Sequence, residues 1–260
     1  AFVTRKAVDF LERRDRGRPF FLFVGHVDTH SPFQDHPARL AARHVRSRFA
    51  SVPREEYVGA ARRVPGRMPA PAEHRRRLRQ YAAAVEYIDQ QVGDVLDALE
   101  SSGDLDETLV VYTSDHGHMN GHHGLYFKGN ATSPQNFYDE SIRVPCLLRW
   151  PGRIAPQVRR EPTDHCDLFQ TLCDAAGAVE SGDRAAERDS PGRSLLPLLS
   201  GGTGEWRDAH FCEYGNARMI RTERWKLIVR YRPHAGDELY DLRADPREAA
   251  LMTAARHCAA

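Results

Sequence analysis

The spacing of apolar positions changes several times along the chain, and each change marks an element. In residues 3–14, Val8 and Leu11 fall near a helical repeat with charges between them, which predicts a short amphipathic helix ended by Gly17 and Pro19. Phe20, Phe21, Leu22, Phe23 and Val24 then form an unbroken apolar run between turn residues, the pattern of a strand buried on both faces of a parallel sheet. From Glu73 onward Leu78, Tyr81, Val85, Ile88, Val92, Leu96 and Leu99 recur at three and four residues. That predicts one long amphipathic helix of about seven turns, stopped at Ser101, Ser102 and Gly103. Residues 108–113 and 144–150 are rich in β-branched and apolar side chains and read as two further strands.

A helix carrying Leu168, Leu172 and Ala176 ends at Gly177, and a polar loop runs on to Gly192. Beyond Gly201 and Gly202 the texture differs. Residues 209–214, 218–221, 225–231 and 238–242 are short strand patterns split by turn residues, with no helix between them, which predicts an antiparallel sheet. The rhythm before that point is βαβ. The expected class is therefore α/β: a mixed, mostly parallel sheet sandwiched by helices over residues 1–200, then a small antiparallel sheet over residues 201–260. Residues 35–72 lack a period and read as a long surface excursion with a helical turn or two.

Composition narrows this picture in a few places. Of 260 residues, 41% are hydrophobic and 28% charged, ordinary for a globular chain able to bury a core without staples. Lys+Arg is 37 against 36 for Asp+Glu, which argues against nucleic acid or a membrane surface as partner. No run is long and apolar enough to span a bilayer. The local distribution is uneven, with twelve arginines against Glu55, Glu56 and Glu73 between Arg39 and Arg79. Such a run reads as a solvated face or as a basic rim that draws in anions. Cys146, Cys166, Cys173, Cys212 and Cys258 have neither zinc spacing nor a disulfide framework, which points to free thiols and a reducing compartment.

The chemistry-bearing residues lie in loops at predicted strand ends, where α/β sheets place ligands. Ser114-Asp115-His116-Gly117 sets a carboxylate and an imidazole side by side on a permissive backbone, a pair able to hold a divalent cation. Lys128, thirteen positions after Asp115 across a Gly- and His-rich loop, can fold back over the same place, and an ammonium suits a tetrahedral oxyanion. The polar loop after residue 24 carries His30.

The ordered set T-S-D-H-G, G-x-H-G-L-x-x-K, F-Y-x-E-S-I-R-V-P and R-W-P-G, over residues 113–152, resembles the sulfatase family of the alkaline-phosphatase superfamily. So do the upstream strand and H-x-P loop (His30, Pro32), the Y-A-A-A-V-E-Y-I-D helix of residues 81–89, the G-R-S-L-L-P-L-L run of residues 192–199, and the strands at 220–228 and 239–242. The resemblance covers nearly the whole chain outside residues 36–72. It implies that Asp115 and His116 ligate a divalent metal, calcium first, with manganese or magnesium as alternatives. It implies that His30 and Lys128 contact the sulfate and that one of them protonates the leaving alcohol, a catalytic role. It places His123 beside the substrate, while His26, His118 and His122 read as ordinary loop histidines.

One departure stands out. Sulfatases use a Cys or Ser in a C/S-x-P-x-R motif, converted to formylglycine, as nucleophile. No cysteine or serine here has that context, Ser51-Val52-Pro53-Arg54 being nearest with the wrong spacing. The family's upstream Asp-Asp metal ligands are absent too. The expectation is a C-terminal portion of a sulfatase, inactive by itself, whose formylglycine belongs to an upstream segment. The implied reaction is hydrolysis of a small-molecule or carbohydrate sulfate monoester. Two alternatives stay open: a phosphonate monoester or phosphodiester hydrolase on the same scaffold, and a non-catalytic sulfatase-like binding module.

Overall fold

The computed structural model describes residues 2–52, 56–57, 59, 64–178, 190–202, 204–231 and 236–252. Cys258 and most of the polar loop before Gly192 lie outside the described residues. The chain divides into two compact units, Ala1–Pro53 with Met68–Thr108, and Arg54–Arg67 with Leu109–Ala260.

The first unit is helical. Helix α1 (Phe2–Arg13) and helix α2 (Ala38–Arg43) pack on helix α3 (Pro71–Ser102). Proline suits the first turn of α3, where its missing N–H is not needed. Gly103 ends the helix at φ +77, a conformation that favours glycine, and its N–H donates to the Glu100 carbonyl. Ala7 and Leu11 of α1 and Leu40 of α2 are buried, and the Thr4 hydroxyl donates to Gln91 Oε1 at 2.7 Å inside the α1–α3 contact.

Two expectations fail in this unit. Val85 is exposed, while Ala83, Ala84 and Gln91 join Leu78, Ile88 and Leu99 in the buried stripe. The stripe follows where α1 and α2 settle, and the small alanines let helices approach closely, so tertiary packing rather than apolar spacing chooses the face. Residues 20–24 form no ladder among the described residues, and Phe21 and Phe23 stand exposed, Phe23 at 83%. An apolar run favours an extended backbone, but only a neighbouring strand completes its hydrogen bonds.

In the second unit strand β1 (Val110–Thr113) pairs antiparallel with strand β2 (Cys146–Arg149), Val111 opposite Leu148. Tyr112 and Leu147 are exposed, and each strand of this two-stranded ladder is an edge. Strands β3 (His210–Tyr214), β4 (Ala217–Arg221), β5 (Trp225–Arg230) and β6 (Glu238–Asp241) form an antiparallel meander in sequence order. Its inner face carries Ala217, Met219, Ile228 and Tyr240. It packs on Met119, Leu125, Phe137 and Tyr138 of the segment between β1 and β2, giving one core. Helix α4 (Asp139–Ile142) is a single turn in that segment, and helix α5 (His165–Ala175) follows β2. Asp164 and Asp167 close a capping box at the start of α5.

Beneath α4 lies a buried ionic cluster. Lys226 of β5 is fully buried, its Nζ 2.6 Å from Asp139, 2.6 Å from Glu248 and 2.9 Å from the Phe137 carbonyl. Arg221 of β4 adds a bidentate pair to Asp139 at 3.2 and 3.1 Å. Burial would raise the Asp139 carboxyl, but Lys226 and Arg221 outweigh it and hold it below the usual range. Burial wins at Glu248, whose carboxyl is pushed up.

Lys226→Met keeps the stem volume but leaves buried carboxylates without their ammonium, so urea unfolding should show a loss of about 3 kcal/mol. Arg243→Ala, which removes an exposed pair with Glu223, should change stability by under ~0.5 kcal/mol. Equal midpoints for the two variants would mean the cluster does not hold the sheet to α4.

Candidate functional site

Strand β1 delivers Ser114, Asp115, His116 and Gly117 to its carboxyl end. The loop organises itself through short polar contacts. The Ser114 hydroxyl donates to the His116 carbonyl at 2.9 Å, and Asp115 Oδ1 accepts the His116 N–H at 2.9 Å. His116 Nδ1 lies 3.0 Å from the Gly117 carbonyl, an acceptor, so Nδ1 carries a proton. That Nε2 faces the Lys128 ammonium at 2.6 Å and Asp115 Oδ2 at 3.3 Å. Asp115 itself is open to solvent, its side chain 81% exposed. Burial would raise its carboxyl, but His116, nearby backbone N–H groups and Lys128 outweigh this and hold it below the usual aspartate range.

The intervening loop folds back to bring Lys128 there. The Met119 N–H donates to the Phe127 carbonyl at 2.8 Å and the Gly121 N–H to the Leu125 carbonyl at 2.7 Å. The reversal uses positive φ at Asn120, Gly121, His123 and Phe127. Leu125 and Tyr126 anchor it in the core, and Asn136 Nδ2 clamps the Lys128 carbonyl at 3.0 Å. Gly117 is required by close approach rather than by φ. A Cβ there would stand 2.0 Å from the Glu140 carbonyl oxygen, and its N–H donates to the Ser141 carbonyl at 2.9 Å.

His123 is fully buried, its ring stacked on Tyr138 with centroids 3.8 Å apart. Its Nε2 lies 3.4 Å from one Glu140 oxygen, and His122 Nδ1 lies 3.1 Å from the other. Burial would raise the Glu140 carboxyl, but the hydrogen bonds from the two histidines prevail and hold it far below the usual glutamate range. His30 belongs to the first unit. It is exposed at the end of a turn closed by its N–H on the Val27 carbonyl at 2.9 Å, with Nδ1 2.7 Å from the Ser31 carbonyl.

The structure thus brings Asp115, His116 and Lys128 together and buries His123, from the same loop, against Tyr138. Sequence reasoning assigned no role to Glu140 or Asn136, and it read Gly117 as a permissive backbone where close approach is what the position requires. Glu140 was visible inside the F-Y-x-E-S-I-R-V-P motif, but no spacing rule marks it as the partner of two histidines. Among the described residues no three His, Cys, Asp or Glu side chains converge as a metal site. The donor set of Asp115 and His116, an exposed carboxylate and an imidazole, fits two positions of a divalent-cation sphere, not the six to eight ligands calcium takes.

The chain matches the model of the sulfatase family over residues 1–178. It also matches that of N-sulphoglucosamine sulphohydrolase, C-terminal, over residues 121–259. It is 36% identical to choline-sulfatase of Rhizobium meliloti over 183 residues, covering 67% of this chain and 32% of that protein. A structure solved in complex with its substrate D-glucosamine-2-N,6-O-disulfate superposes with TM-score 0.76 at 25% identity, over 96% of this chain and 64% of that one. Phosphonate monoester hydrolase of Agrobacterium radiobacter superposes with TM-score 0.57 at 29% identity, over 71% of this chain and 38% of that one. The chain spans about a third of the length of the curated relatives first matched. The expected α/β class of the alkaline-phosphatase type is borne out by these likenesses.

Glu140 ionises more readily folded than unfolded, so its stabilisation is complete above the ordinary glutamate range and lost as pH falls through that range toward the lower folded value. Glu140→Gln should therefore cost about 2 kcal/mol at pH 7 and progressively less in acid, followed by urea unfolding at stepped pH. A deficit constant with pH would mean that the carboxylate charge is not what the histidines hold.

Proposed function

The chain belongs to the sulfatase family, and on that premise we propose that it serves the hydrolysis of a sulfate ester, with a carbohydrate sulfate as the favoured substrate class. The observation that carries this reading is the Lys128 ammonium held 2.6 Å from His116 Nε2 beside the exposed, ionised Asp115. A cation flanked by a metal-competent pair suits the placement of a sulfate group, whose oxygens gather negative charge in the transition state. The match to N-sulphoglucosamine sulphohydrolase and the likeness to a structure solved with a glucosamine disulfate support the carbohydrate class.

Within this reading each residue has a role. Lys128 binds a sulfate oxygen and offsets developing charge, and its proton is available to the leaving alcohol. His30 is the second candidate donor of that proton by its own chemistry, an exposed imidazole on a loop. Asp115 and His116 are this chain's ligands for a divalent cation, calcium first, with manganese or magnesium as alternatives. Such a cation, when bound, polarises sulfate oxygens. His123, expected beside the substrate, is fully buried and instead supports the loop through its stack on Tyr138 and its contact with Glu140. The formylglycine nucleophile of the family is assigned to no residue of this chain, since none of its cysteines or serines stands in a C/S-x-P-x-R context.

The likeness to phosphonate monoester hydrolase favours a second reading, because tetrahedral phosphorus and sulfur ask for similar charge placement. One assay separates them: turnover of an aryl sulfate and the matching aryl phosphonate with calcium, by a polypeptide that joins an upstream C/S-x-P-x-R segment to this chain. Faster turnover of the sulfate is expected, and preference for the phosphonate selects the second reading. Lys128→Ala in that polypeptide should lower kcat by about 10²–10³ with less effect on KM. Unchanged kcat removes Lys128 from the chemistry, and no turnover of either ester by the unsubstituted protein leaves a binding module.

A further inference from the structure

The first unit carries a basic face that the reaction chemistry does not use. Eight arginines fall in two short stretches that pack together: Arg39, Arg43, Arg46 and Arg48 on α2 and the turn after it, and Arg75, Arg76, Arg77 and Arg79 on the first turns of α3. Two glutamates answer them. Glu73 binds Arg76 and Arg77, and Glu86 binds Arg43 together with His44, while Arg39 reaches the Gln90 amide at 3.1 Å. Arg46, Arg48, Arg75 and Arg79 are paired with no carboxylate among the described residues.

The geometry gathers these four. Arg75 Nη2 reaches the Ser47 carbonyl at 3.4 Å and Arg79 Nη2 the Val45 carbonyl at 3.2 Å, so two α3 guanidiniums flank the turn that bears Arg46 and Arg48. Arg46, Arg48 and Arg75 are exposed. Each guanidinium has five N–H donors, and at most one per residue is taken by a backbone carbonyl here. Arg75 and Arg79 stand one helical turn apart, where like charges repel. Uncompensated like charge drawn together with its donors free is the arrangement an oxyanion relieves, and planar guanidiniums grip oxyanions through paired N–H groups.

We propose that this face binds a polysulfated polysaccharide chain, holding it by successive sulfate groups. The sulfated class rests on the sulfatase reading above. The alternative polyanion, a nucleic acid strand, is disfavoured by the surface itself, because residues 38–49 and 71–79 hold a single Phe, Tyr or Trp, the half-buried Phe49, to stack bases.

The test is binding without turnover, so it stands whether or not the protein hydrolyses sulfate esters. The chain is titrated with heparin, with chemically desulfated heparin, and with single-stranded DNA of matched charge as competitor, at several salt concentrations. Arg46→Ala/Arg48→Ala/Arg75→Ala/Arg79→Ala should weaken heparin binding by at least about tenfold and flatten its salt dependence, since fewer ions are exchanged. Should the fourfold variant melt early, Arg46→Ser/Arg48→Ser, confined to the exposed turn, should still weaken binding measurably. Heparin affinity unchanged in the turn variant overturns the proposal. So does equal binding of desulfated heparin, or displacement of heparin by DNA at equal charge.

Discussion

The second unit depends on the salt bridge between Asp139 and buried Lys226, 2.6 Å apart. It ties the single turn of α4 to the four-stranded sheet, and α4 in turn governs the loop that carries the candidate chemistry. Asp139 and Glu140 are adjacent and face opposite duties. Asp139 is held by Lys226 and Arg221 of the sheet, while Glu140 receives His122 and His123 of the loop. The same turn presents the Glu140 and Ser141 carbonyls to Gly117, which must lack a side chain for the approach to exist. The position of Asp115 and His116 is thus referred, through one helical turn, to a rigid antiparallel sheet. Sites held on regular elements keep their geometry better than sites on free loops.

This arrangement also sets the polarity of the loop. The Gly117 carbonyl accepts at His116 Nδ1, which leaves Nε2 to face the Lys128 ammonium at 2.6 Å. Asp115 Oδ2 lies 3.3 Å from the same nitrogen, and against the effect of burial His116 and Lys128 hold its carboxyl below the usual aspartate range. Two basic side chains and one carboxylate thus meet at the end of β1, oriented by a backbone carbonyl rather than by burial.

Legibility from sequence divides along the same physical lines. Asp115, His116 and Lys128 could be picked out because loops at strand ends concentrate chemistry and because the motif order is specific. The four-strand meander could be picked out because turn residues punctuate it at short intervals. Lys226 could not, since nothing local distinguishes a lysine in W-K-L-I that faces water from one that is buried; its partner Asp139 is 87 residues away. Glu140 escaped for the same reason. Val85 and the 20–24 run failed differently: periodicity and composition describe what a segment is able to bury, while the face actually buried is chosen by neighbours.

Charge is handled in two opposite ways in this chain, although Lys+Arg and Asp+Glu nearly cancel at 37 and 36. In the second unit charges taken out of water are matched closely: Arg230 meets Glu238 at 2.6 Å with both side chains buried, and Asp139, Lys226 and Glu248 form one cluster. Burial enforces that economy, because an unpaired interior charge costs several kcal/mol. In the first unit Arg46, Arg48 and Arg75 remain in water, where solvation tolerates an unmatched guanidinium and no folding constraint demands a partner. Stability therefore accounts for the paired charges and is silent on the unpaired ones. Four arginines gathered without a carboxylate partner among the described residues are explained by what approaches from outside, which is where a sulfated chain supplies the anions.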